Sequence, residues 1–178
     1  MKEMNRREFL TLTGAAVVAL SLAGCGGPSA PPAPPAAPTG REAKVLEAIN
    51  LFRKEKGWGT FNQDDGLNAL AEKAVDCALG KIGVDELTAE MVKNSTLLNG
   101  PYQTFGQPIG VVEKGKPTMH YDEDVSEMKK ALLALSKVDI EDNLALPNLK
   151  IIGIKVFTGN DDKLYWVAVA AEGKKVTP

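Results

Sequence analysis

Six prolines within eleven residues, Pro28, Pro31, Pro32, Pro34, Pro35 and Pro38, divide this chain. Each lacks a backbone N–H and fixes φ, and alanine fills most of the gaps, so residues 28–39 can join neither a helix nor a sheet. Extended polyproline II is the conformation left, at about 3.1 Å per residue and roughly 35–40 Å in all. Such a run suits a spacer better than a ligand for a proline-recognition module. Any core must therefore be built after it, and residues 41–178 are long enough for a single globular domain.

Before the spacer lies an apolar run from Phe9 to Ala23, 15 residues long. That is short of the roughly 20 needed to cross a bilayer core as a helix. With Arg6 and Arg7 ahead of it and small residues after it, the segment reads as a cleaved export signal over residues 1–24. Leu22-Ala23-Gly24-Cys25 resembles the lipobox of bacterial lipoproteins at all four positions. The resemblance implies that Cys25 becomes the first mature residue, with a diacylglyceryl group on its sulfur and a further acyl chain on its amine. Two or more chains hold a protein firmly at a membrane, at about 0.8 kcal/mol per buried methylene. Residues 25–40 are then a lipidated cysteine and linker. The location implied is the extracytoplasmic face of a bacterial membrane. Arg6, Arg7, Phe9 and Leu10 also resemble the twin-arginine export motif, from which Asn5 and Thr11 depart. That likeness implies export of an already folded domain, a route that often serves cofactor proteins.

The whole chain holds 21 basic and 23 acidic residues. Without residues 1–24, which contain Lys2, Arg6, Arg7, Glu3 and Glu8, there remain 18 basic and 21 acidic residues, a net of −3. Nucleic acid is not the expected partner, because it selects a basic face. Cys77 is the sole cysteine besides Cys25. It has no disulfide partner within the chain once Cys25 is acylated, and its place beside an apolar stripe suggests a small buried hydrophobe.

Periodicity predicts the elements of the domain. Val45, Ile49 and Phe52 form one stripe of a helix over Arg41–Lys56, with Leu46 beside it, charges expected opposite and a stop at Gly57. After a short connection, Thr60–Gln63, Asp64 or Asp65 can cap a second helix running to about Leu79. Leu67, Leu70, Ala71, Ala74, Val75 and Ala78 are its stripe. Gly80 and Gly83 break the pattern, and Val84, Leu87 and Met91 predict a third helix ending near Asn94. Asn94-Ser95-Thr96 fits the glycosylation pattern but is expected only as loop. Residues 95–121 are turn-rich, with a short strand at Ile109–Glu113. Asp122-Glu123-Asp124 opens a fourth helix with Val125, Met128, Leu132 and Leu135 on its seam; capping explains the three acids better than catalysis does. Ile152, Ile154 and Val156 alternate on one strand, and Leu164–Ala171 is its hairpin partner. Thr158 to Asp162 joins them as a turn without the ligand spacing of a calcium loop.

These residues resemble the CAP superfamily of cysteine-rich secretory, antigen 5 and pathogenesis-related-1 proteins. The likeness is carried by Ile49-Asn50-Leu51-Phe52-Arg53, Gly57, Phe61, Asp64, Leu67 and Ala71–Ala78. It continues in Ser136, Asn143, Leu144, Pro147, Ile152-Gly153-Ile154 and Val156, and ends in Tyr165-Trp166-Val167. It implies an α+β fold, an α-β-α sandwich with a central antiparallel sheet. It also implies a cleft where two histidines and two acidic residues can bind a divalent metal. This chain departs there. Gln107 stands where the family has an acid, Asp139 where it has the second histidine, and the first histidine has no counterpart. His120, the only histidine, is expected at a surface or cap position rather than as a ligand.

No metal site and no cofactor is therefore expected, since one histidine and one thiol supply too few soft ligands. The favoured reading is a non-catalytic domain that binds a small apolar ligand or an envelope partner, with Gln107 and Asp139 in a degenerate cleft. Two alternatives stay open: a glycan hydrolase using Glu113, Asp122 or Asp139 as acid and base, and a purely structural envelope lipoprotein.

Overall fold

The structure, a computed structural model, describes residues 40–135 and 148–174. Arg6, Arg7, Phe9 and Leu10 of the expected export signal, Cys25, the proline run and Asp139 lie outside the described residues, as does the resemblance segment from Ser136 to Pro147.

Helix α1, Arg41–Glu55, buries Val45, Ala48, Ile49 and Phe52 along the expected stripe. It ends where Gly57 takes φ +77°. The Gly57 N–H reaches the Lys54 carbonyl at 3.1 Å and the Trp58 N–H the Arg53 carbonyl at 2.9 Å, the paired bonds of a Schellman ending. Trp58 then turns its ring edge to Phe52, centroids 6.0 Å apart. Arg53 corrects the expectation that the charges of α1 face outward, because it is fully buried. It sits four residues after Ile49 and eight after Val45, on the apolar stripe. Its Nε donates to the Gly59 carbonyl at 2.5 Å and its Nη2 to the Leu149 carbonyl at 3.1 Å, while the guanidinium lies 4.0 Å from the Phe61 ring centroid. Asn50 clamps the same connection, donating to the Phe61 carbonyl at 3.2 Å and accepting its N–H at 2.7 Å. Two residues that carry the family likeness thus serve to fasten the chain between α1 and the sheet.

That connection is itself a strand. β1, Asn62–Gln63, pairs in parallel with β4, Ile151–Thr158, at Asn62↔Ile151 and Gln63↔Ile152. Two residues leave no alternation to detect, so only a short connection is expected there from the sequence. β4 pairs antiparallel with β5, Leu164–Ala171, over eight residue pairs. The sheet, ordered β1-β4-β5, is therefore mixed rather than wholly antiparallel. On the far edge of β5, isolated bridges from Phe105, Ile109 and His120 reach Ala171, Ala168 and Tyr165. Beyond β1 the edge of β4 is closed by side chains: the Ile154 N–H donates to Asn68 and the Val156 N–H to Glu42. Satisfied edge donors cannot recruit another strand.

Helix α2, Asp65–Ala78, follows Asp64, whose Oδ1 accepts the Leu67 N–H at 3.1 Å. Helix α3, Val84–Lys93, packs on it with Leu87 and Met91 buried. A single 3₁₀ turn, Thr96–Leu98, comes next. β2, Val111–Glu113, and β3, Lys116–Pro117, form a small hairpin, shorter than the strand expected from Ile109. Helix α4, Val125–Leu135, starts after Asp124, which accepts the Ser126 N–H at 2.8 Å.

Alternation along the β4–β5 hairpin sorts the core onto two faces. Ile152, Ile154, Trp166, Ala168 and Ala170 pack with α1 and with Met128 and Leu132 of α4. Val167, Val169 and Ala171 pack with α2 and α3. The class is α+β, with helices on both sides of the hairpin. Cys77 is buried in the second cluster, and burial pushes its thiol pKa up.

Candidate functional site

A groove of about 430 Å³ lies between α3 and the extended segment that runs along the outer edge of β5. Thr88, Met91 and Val92 form its helical wall, the turn from Ser95 to Leu97 one end, and residues 103–108 the opposite wall. That opposite wall is held by backbone. The Gly106 N–H donates to the Ala170 carbonyl at 2.9 Å, the Ile109 N–H to Ala168 at 2.8 Å and the Gln103 N–H to Gly173 at 2.9 Å. The segment is thus a makeshift fourth strand, and it positions Phe105, Gln107 and Pro108 against α3.

Among the described residues, the lining contains no Asp, Glu, Lys, Arg, His or Cys, in a chain of which a quarter is charged. Its polar groups are hydroxyls and amides. Two hydroxyls are already committed, Thr88 to the Val84 carbonyl at 2.9 Å and Ser95 to the Val92 carbonyl at 2.7 Å. No side chain in the lining can act as a general base near them. The arrangement can enclose an uncharged molecule and offer it a few hydrogen bonds.

Gln107 is among the residues that line the groove. Whether Asp139 joins it falls outside the described residues. The other acids of the sequence reading are engaged elsewhere. Exposed Glu113 pairs with Lys116 at 2.7 Å in the β2–β3 hairpin. Asp122 accepts the Asp124 N–H at 2.8 Å ahead of α4. His120 is exposed, its ring 4.4 Å from that of Tyr165. Among the described residues, no three His, Cys, Asp or Glu side chains come together as metal donors. Among the described residues, the donors present do not fit the divalent-metal cleft that the family likeness implies.

One polar centre was not foreseen. Asp64 Oδ1 accepts the Tyr102 hydroxyl at 2.7 Å as well as the Leu67 N–H, and Oδ2 meets Lys174 Nζ at 2.7 Å. Burial works to raise the Asp64 pKa, yet these three donors outweigh it and hold the carboxyl below its usual range. The Tyr102 phenol is pushed up, first by burial and then by its bond to the carboxylate. Gly66 makes the contact feasible, since a Cβ there would overlap the Tyr102 oxygen. Three donors on one carboxylate join α2, the segment after α3 and Lys174 beyond β5 as a structural tie. Asp64 was legible as a cap; its partners, 38 and 110 positions away, were not.

No helix of the described residues is long and apolar enough to cross a membrane. No protein-family model matches this chain, and no curated protein matches it significantly.

Proposed function

We propose that this chain is an extracytoplasmic lipoprotein, anchored to a bacterial membrane by acyl chains on Cys25, whose domain binds a small uncharged apolar ligand in the groove between α3 and residues 103–108. The domain is read as a divergent CAP-like α-β-α sandwich. Support for that comes from the helices on both faces of the β4–β5 hairpin, together with the motif likeness around Asn50 and Arg53.

The observation that carries the binding reading is the uncharged lining of a groove of about 430 Å³. Pockets for small molecules run from roughly 300 to 1,000 Å³ and are mostly apolar with a few placed polar groups. A volume at the lower end favours one small molecule or one chain over a protein segment. Catalysis is disfavoured by the same lining, which offers hydroxyls without a base. Of the three acids expected for hydrolysis, Glu113 and Asp122 are tied to Lys116 and to the start of α4, and Asp139 lies outside the described residues.

Native mass spectrometry of the full chain, purified from its membrane in mild detergent, tests the reading. A retained neutral adduct is expected. Thr88→Arg, at an exposed position on the groove wall, should release it without unfolding the domain. A bare protein under these conditions, or an adduct indifferent to Thr88→Arg, would overturn the assignment of this groove.

A further inference from the structure

Leu97 is 83% exposed and Leu98 58% exposed, on the 3₁₀ turn at the end of the groove, with Val92 beside them at 41%. The turn that presents them is rigidly built. The Leu98 N–H donates to Ser95 at 3.1 Å, the Gly100 N–H to Ser95 at 2.8 Å, the Thr96 N–H to Tyr102 at 2.7 Å and the Tyr102 N–H to Asn94 at 3.1 Å. Asn99 is held at φ +62°, a conformation an L side chain adopts at a cost, and a Cβ at Gly100 would overlap the Asn94 carbonyl. So much local constraint spent on holding two leucines in solvent calls for something apolar to receive them.

We infer that the Leu97–Leu98 turn is a membrane contact, dipping into the acyl boundary of the bilayer that holds the chain through Cys25. The inference rests on the lipid-anchor reading above. Charge favours a bilayer: the groove behind the leucines is uncharged, and Lys93, the nearest cation in the chain, is neutralised by Glu90 at 2.6 Å. Tether length agrees. Gly40 lies 15 positions beyond Cys25, a reach of about 45 Å if extended, enough for the domain to lie on the surface. Val112, 76% exposed, is a different case, a single side chain next to Glu113 and Lys114 on the β2–β3 hairpin. It is the internal control.

The test uses the acylated full chain in phosphatidylcholine–phosphatidylglycerol vesicles. An environment-sensitive dye is placed on a cysteine introduced by Leu97→Cys or, separately, by Val112→Cys; Cys77 is buried and does not compete. Nitroxide-bearing lipid should quench the dye at position 97 several-fold more than the dye at 112, and adding Leu98→Asp should bring the two close together. Equal quenching in vesicle-bound protein overturns the contact and leaves the anchor standing. Protein that does not float with the vesicles overturns the anchor and the contact with it. A blue shift at position 97 that grows with protein density and ignores nitroxide lipid marks association between copies, and likewise overturns the proposal.

Discussion

Against the α1–α4 face of the β4–β5 hairpin the chain packs large side chains, with Phe52, Leu132 and Trp166 fully or almost fully buried. Against the α2–α3 face it packs Leu67, Leu70, Leu87 and Met91, but at Gly153 it has no side chain at all, so the β4 backbone meets α2 where a Cβ would overlap the Leu67 carbonyl. The first face also takes in a guanidinium; the second keeps its carboxylate, Asp64, near the surface with an ion-pair partner. Interiors are close-packed on both sides, but the means differ: side chains throughout on one, side chains plus a direct approach of backbones at Gly153 on the other. A layer of side chains can shift rotamers when a residue changes. Two backbones in contact have no such freedom.

The largest effect expected from this difference is at Gly153. Gly153→Ala should cost about 3 kcal/mol or more, because α2 must move away from the sheet as a unit. Ile49→Val on the opposite layer should cost only about 1 kcal/mol. Urea unfolding of both variants measures the contrast, and equal costs would break it.

Arg53 comes next. Arg53→Leu leaves the Gly59 and Leu149 carbonyls without their donor and should lose about 2–3 kcal/mol. Arg53→Lys should recover little of it, since one ammonium cannot span two carbonyls held by a planar fork. Thermal melts of the pair decide whether the guanidinium geometry or its charge matters.

Asp64→Asn keeps a capping oxygen but removes the charge that meets Lys174 and the Tyr102 hydroxyl, and should cost about 1 kcal/mol near neutral pH. The folded carboxyl titrates below its unfolded value of about 3.9. Its stabilisation is therefore complete above that pH and is lost as pH falls through the lowered folded value. The gap between wild type and Asp64→Asn should be constant from pH 5 to 7 and close below about pH 4 in acid titrations followed by circular dichroism. A gap that widens in acid would reverse the assignment.

The smallest effects belong to the surface pairs, Lys129–Glu55 at 2.5 Å between α4 and α1 and Lys155–Glu72 at 2.6 Å between β4 and α2. Removing either carboxylate should change stability by about 0.5 kcal/mol or less, alike for the two layers. A larger loss on one side would mean that charge, not packing, distinguishes them.

Much of the secondary structure was legible because it rests on local rules. Gly57 ends α1 through its positive φ, Asp64 caps α2, and period-two alternation marks Ile152–Val156 as a strand with two different faces. Spacing and residue type disagree at Arg53: its position is on the apolar stripe, its charge argues for the outside, and its partners, Gly59, Phe61 and Leu149 (the last 96 positions away), hold it inside. β1 was missed because two residues carry no period. The groove had one sequence trace, Gln107, and its other walls come from segments with no shared motif.

By itself the amino-acid sequence determined where helices begin and end and which residues the hairpin alternates. Only the tertiary structure decided that Arg53 goes inside, that Asp64, Tyr102 and Lys174 meet, and that an uncharged groove opens beside Leu97. The reason is range: caps and periodicities act within a few residues of backbone, whereas a buried charge or a groove exists only once segments far apart in the chain have been packed together.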